Sequence, residues 1–153
     1  MPHIDILNVI VRWMHIVGAV IAVGGAIFAA FVLLPAVHPI PQEARPSFLE
    51  AIRKGYARLV MIAVTLLVLS GFFNYIRNEM PAHKGQGAYH ALMSVKILFA
   101  FIVFFLASAL TGRSPAFEKF RQRRKRYLTL NILLAFTILA LGAVLRAFPD
   151  TAP

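Results

Sequence analysis

Four stretches almost free of charge dominate the sequence: Trp13 to Val37, Leu59 to Ile76, Ala88 to Gly112 with Lys96 as its only charge, and Tyr127 to Leu145. A helix needs about 20 apolar residues to cross ~30 Å of hydrocarbon, and each stretch reaches or nears that length. The chain therefore reads as an all-α integral membrane bundle of four transmembrane helices, with spans about 6–35, 57–77, 88–112 and 127–148. These leave almost nothing for a separate soluble domain, so residues 1–153 form one domain. With 59% hydrophobic and 14% charged residues, the composition is too apolar for a soluble globule of this size. The first apolar run is expected to stay in the mature chain, because MPHID has no basic n-region and the run exceeds a signal h-region. The absence of cysteine excludes disulfides, thiolate metal sites and covalent c-type heme attachment.

The net charge of +10 is unevenly distributed. Arg113, Lys119, Arg121, Arg123, Arg124, Lys125 and Arg126 lie between the third and fourth spans, and Arg45, Arg53, Lys54 and Arg58 between the first and second. With four spans these two loops share a side. The positive-inside rule makes them cytoplasmic and puts both termini outside, periplasmic in a bacterial inner membrane. The basic run 113–126 then orients the chain and meets anionic lipid, in preference to nucleic acid.

The first helix is expected to start near Asp5 or Ile6 and end at Pro35, before a proline-rich loop. Ser47 with Glu50 three residues on matches a capping box, so an interfacial helix should begin there and run into the second span. The second helix should end around Arg77, leaving NEMPAHKGQG as an outer loop. Ser114 and Pro115 should start a short basic interfacial helix. There is no P-loop, dinucleotide glycine pattern, HExxH motif or Ser-His-Asp arrangement.

Polar residues within the spans are costly and mark sites. Asn8, Arg12 and His15 are spaced four and three apart and form one stripe on the outer half of the first helix. The same face continues as a small-residue groove through Gly18, Ala22, Gly25 or Ala26, and Ala29, able to seat a flat group or another helix. Ser70, Asn74 and Arg77 form a comparable stripe on the second helix. On the third, Tyr89, Met93 and Lys96 share a face with His90 to one side. His15, Ser70 and Lys96 all fall on the order of 12 Å from the outer end. All six acidic residues lie in loops, tails or helix ends, so Arg12 and Lys96 lack a carboxylate partner within the membrane. An anionic ligand such as a heme propionate would meet that need. Neutral His15 with Met14 and Met93 would instead suit Cu(I). Trp13 and Tyr89 fit an aromatic belt, while His3, His38 and His83 read as loop or tail residues.

The first span, RWMHIVGAVIAVGGAIFAAFVLLP, resembles the opening helix of copper-resistance-D-like (CopD-like) membrane proteins in its Trp-x-His, paired glycines and closing Leu-Pro. LSGFFNY, YHALMSVKILFA and GAVLRAFP are similar to later segments of that family. The related J-type bacterial protoporphyrinogen oxidases are similar in pairing a first-helix His with a Lys near the start of a later helix. That resemblance implies His15 as a ligand of heme b and Lys96 as a porphyrin or propionate contact. His90 is added on geometric grounds as a second ligand. The candidate cofactor site is thus His15, His90, Lys96, Arg12, Tyr89 and Asn74, with His15 and His90 as metal ligands. The expected function is heme b or porphyrin binding in electron transfer or a porphyrin redox step, with a membrane redox partner or a second copy of the chain as partner. Copper transport is the alternative implied by the wider family, although the fourth span lacks an acidic residue. A noncatalytic membrane assembly subunit is the third.

Overall fold

The computed structural model describes residues 5–150, so His3 lies outside the described residues. It is all-helical, with no strand among those residues. The helices are α1 (Ile6–Ala36), α2 (Arg45–Ala82), α3 (Gly87–Thr111), the short α4 (Glu118–Gln122) and α5 (Arg124–Leu145). All but α4 are long and apolar enough to cross a membrane.

Local chemistry accounts for most of the helix ends. Asp5 holds an extended conformation and its carboxylate accepts from the backbone N–H groups of Leu7 (3.1 Å) and Asn8 (3.2 Å), which starts α1. Gly85, at φ +84°, makes the left-handed turn between α2 and α3, where any other residue would be strained. Arg121 donates to the Gly112 carbonyl and Arg124 to the Leu110 carbonyl. These guanidinium groups satisfy acceptors left open at the C-terminus of α3. The capping box expected at Ser47 does not form. Ser47 donates its hydroxyl to the Ala44 carbonyl and Glu50 pairs with Arg53 and Arg113, while α2 starts two residues earlier with Pro46 in its first turn.

Both Pro35 and Pro81 sit just past a π turn, Ala29–Leu33 and Tyr75–Glu79, in which Leu34 donates to the Ala29 carbonyl and Met80 to the Tyr75 carbonyl. Proline cannot donate to the carbonyl four residues back and clashes with it. Widening the preceding turn is one local way to relieve that conflict. This is why α2 does not stop at Arg77 as expected but continues to Ala82. The fourth span likewise begins at Arg124, earlier than expected, because α4 breaks only at Arg123.

α1 packs mainly on α2 and α3 mainly on α5, with thinner contact between the two pairs. Small residues line part of the interior: Ala63 and Ala109 are 1% exposed, and Ala26, Ala29 and Ala135 are buried beside larger side chains such as Leu106 and Leu110. Large apolar side chains such as Val20, Phe31, Leu69 and Leu133 face outward, as expected when the surroundings are as apolar as the core. Two clusters close the ends. Ala26, Ala29, Leu110, Leu128 and Ile132 join three helices at the basic end. Tyr89, Met93 and Leu145, with Tyr75 and Phe148 against them, close the other.

Candidate functional site

His15 and Lys96 each lie nine residues into their helices, from Ile6 to His15 and from Gly87 to Lys96. Both helices start at the end away from the basic loops, so the two side chains fall at a similar depth. Ser70 joins them through a hydrogen bond of 2.9 Å between its Oγ and His15 Nδ1. Ser70 is 1% exposed, and its hydroxyl donates to the Leu66 carbonyl on its own helix. With that single proton committed, the bond to the imidazole runs from Nδ1–H to Ser70 Oγ. Nε2 is then the nitrogen with a free lone pair. A fixed Nδ1 is the usual way a protein orients a histidine ligand. Gly71 lies beside the ring, where a Cβ would stand 3.5 Å from His15 Cε1.

Lys96 is half-buried and reaches α5, where its Nζ would lie 3.5 Å from a Cβ placed on Gly142. No hydrogen bond or ion pair to its amine occurs among the described residues. The carboxylate whose charge bears on Lys96 is Glu79. Glu79 was expected in the outer loop. The π turn ending at Glu79 instead holds it half-buried against the bundle, where its carboxylate accepts from Tyr89 OH. The layer is therefore not as remote from acids as the sequence implied.

The small-residue groove below His15 is filled by the chain itself. A Cβ on Gly18 would meet Leu67, Leu66 and the Ala63 carbonyl of α2 at 3.0–3.2 Å, and one on Gly25 would meet the Tyr56 ring at 3.3 Å. Ala26 and Ala29 pack against Leu110, Leu128 and Ile132. This face of α1 is a helix-packing surface, not an open seat.

The remaining predicted residues divide between two other settings. Arg12 is exposed and has no hydrogen bond or ion pair among the described residues. Asn74 accepts from Asn78 Nδ2 (3.2 Å), which also donates to Asn8 Oδ1 (3.1 Å), tying α2 to α1. Asn8 in turn donates to Asp5, which stands 3.6 Å from Arg77. Tyr89 is 1% exposed rather than interfacial. Its ring stacks flat on His83 at 3.6 Å between centroids and meets the edges of His90 and Phe148. His90 donates from Nε2 to the His83 carbonyl (3.1 Å), so that nitrogen is engaged in the loop. The structure does not bring His90 together with His15.

His83 was passed over in the sequence and is 4% exposed. It donates from Nδ1 to the Glu79 carbonyl (3.0 Å), and its Nε2 faces Asp150 at 3.6 Å. Gln86 donates to the Pro149 carbonyl at 2.7 Å, so the C-terminal segment is tied to the same loop. The spacing of Glu79 and His83, four apart with Pro81 between them, was the available signal. Its meaning depended on the helix continuing through residue 82.

As a donor set for heme b, these residues fit one imidazole ligand, His15, and one nearby amine, Lys96, for an acidic substituent. They do not supply a second histidine. No group of three or more His, Asp or Glu side chains able to hold a metal ion occurs among the described residues. Met93 is packed with Tyr89 and Leu145. No family model matches the chain, and neither curated proteins nor solved structures show a significant likeness to it.

Proposed function

We propose that this four-span membrane protein binds heme b or a related porphyrin through His15 and acts in electron transfer or a porphyrin redox step. The observation that carries the reading is the His15–Ser70 pair: an imidazole inside a membrane span with Nδ1 anchored and Nε2 available. Ser70 fixes the ring's tautomer and rotation, and Gly71 leaves room beside it. Lys96, in the same layer on the opposite helix pair, would offset the charge of a propionate. The surrounding apolar helices would exclude water. Bound iron would supply one-electron chemistry, with His15 as the residue that would hold it and the apolar helices keeping the surrounding dielectric low.

Charge distribution supports a bacterial inner membrane location with the basic end cytoplasmic and both termini periplasmic. A membrane redox partner or a second copy of the chain would take the electron. Copper transport would require Met14, His15 and Met93 to converge, and the packing of Met93 gives that reading no added support. The assembly-subunit reading relied on the small-residue groove, which α2 and α5 already cover.

The test is an absorption spectrum of the protein purified in detergent, before and after heme reconstitution. The expected result is a Soret band that His15→Ala abolishes and His90→Ala leaves in place. A wild-type protein without a Soret band after reconstitution overturns the proposal. Cu(I) binding that disappears when Met14, His15 and Met93 are all replaced would favour copper instead.

A further inference from the structure

The arginines of residues 113–126 fall into two classes. Arg113 pairs with Glu50, Arg121 with Glu118 and the carbonyls of Gly112 and Ser114, and Arg124 with the Leu110 carbonyl. These hold the protein together. Arg123 and Arg126 are exposed, three residues apart, and their guanidinium groups have no hydrogen bond or ion pair among the described residues. They line one side of a concave surface of about 450 Å³, with Tyr127 and Thr129 beside them and Leu130 and Leu133 below. Both leucines are exposed on a helix that spans the apolar layer. The surface thus passes from two unpaired guanidinium groups to hydrocarbon within about 10 residues of one helix, roughly 15 Å.

We propose that this surface binds one anionic phospholipid, with its phosphate between Arg123 and Arg126 and an acyl chain along Leu130 and Leu133. Charge complementarity selects the occupant. Guanidinium groups match phosphate oxygens in planar, bidentate geometry, and the leucines need an apolar partner that a free anion, an oligonucleotide or an acidic peptide does not offer. The site is narrower than a general attraction of the basic loop to the membrane, which Lys119 and Lys125 would share equally. It does not depend on the cofactor bound at His15.

The experiment is native mass spectrometry of the full chain in neutral detergent, titrated with dioleoylphosphatidylglycerol, with dioleoylphosphatidylcholine as the uncharged control. Wild type is expected to hold one phosphatidylglycerol preferentially. Arg123→Gln with Arg126→Gln should weaken it roughly tenfold or more, whereas Lys119→Gln with Lys125→Gln, which removes the same charge, should change it less than about threefold. Leu133→Glu, which leaves both arginines intact, should weaken it as well. Equal loss in the two double variants, equal retention of phosphatidylcholine, or an acidic peptide or oligonucleotide binding in preference to phosphatidylglycerol would each overturn the proposal.

Discussion

Gly18 is the position at which a single methyl group tests the packing of α1 on α2. A Cβ there would lie 3.0 Å from Leu67 Cγ, 3.1 Å from Leu66 Cβ and 3.2 Å from the Ala63 carbonyl oxygen. Carbon atoms prefer about 3.5–4.0 Å, so the Leu66 contact is short by roughly 0.4 Å or more. Leu67 Cγ can turn aside, but Leu66 Cβ and the Ala63 oxygen are fixed to the α2 backbone. α2 must therefore withdraw as a body. Overpacking of this kind costs about 1–3 kcal/mol, offset by up to ~1 kcal/mol from replacing a helical glycine with alanine. Gly24→Ala supplies the control, since nothing lies within 4 Å of its Cβ and only the helical gain applies. The difference between the two variants isolates the clash and is expected to be about 1–3 kcal/mol, read by helical circular dichroism during SDS-induced unfolding from mixed micelles. Because α2 also carries Ser70, Gly18→Ala should weaken any His15-dependent spectral signal in parallel. If Gly18→Ala proves as stable as Gly24→Ala, the close approach of α1 and α2 is wrong, and with it the geometry of the His15–Ser70 pair.

Other variants probe single contacts by the same unfolding assay. Ser70→Ala removes the acceptor for His15 Nδ1–H and is expected to cost roughly 1–2 kcal/mol, with broadening of any heme band as the ring loses its anchor. Glu79→Ala leaves Tyr89 OH without its acceptor at a buried site and should cost about 1.5–3 kcal/mol, while Glu79→Gln, which keeps an acceptor oxygen, should recover most of it. Asn131 is buried, but the only side-chain hydrogen bond it makes among the described residues, to the Val103 carbonyl, is long at 3.4 Å. Asn131→Leu should therefore change stability by less than about 1 kcal/mol, since an apolar group of similar size replaces a weakly satisfied one.

The four spans were legible because the bilayer imposes a length on each apolar run and charge interrupts them cleanly. The alignment of His15, Ser70 and Lys96 was legible too, since helical rise converts residue number into depth. Rotation about the helix axis was not. Residue spacing could not say whether the face of Gly18 and Gly25 met a cofactor or α2, because the answer depends on the partner's side chains, chiefly Leu66, Leu67 and Tyr56. The loop cap was misread for a different reason. Pro81 looked like a terminator, so Glu79 and His83 were assigned to irregular chain. A π turn carries the helix through it instead, and buries His83 against Tyr89.

The π turn before Pro81 has a consequence for the residues beyond it. It holds one residue more than the α turn it replaces, so it advances the helical phase by roughly 100°. Pro81 thereby sets an angular reading frame for the residues that follow it, much as an inserted letter shifts a line of text, whereas after Pro35 only Ala36 is left in the helix. The π turn itself carries Glu79, and beyond Pro81 the shifted phase carries His83; both meet Tyr89. The phenolic hydrogen bond and the ring stack at the end of the bundle therefore rest on a proline whose side chain takes part in neither. A helical wheel drawn without the slip would place His83 roughly 100° away from the face it occupies.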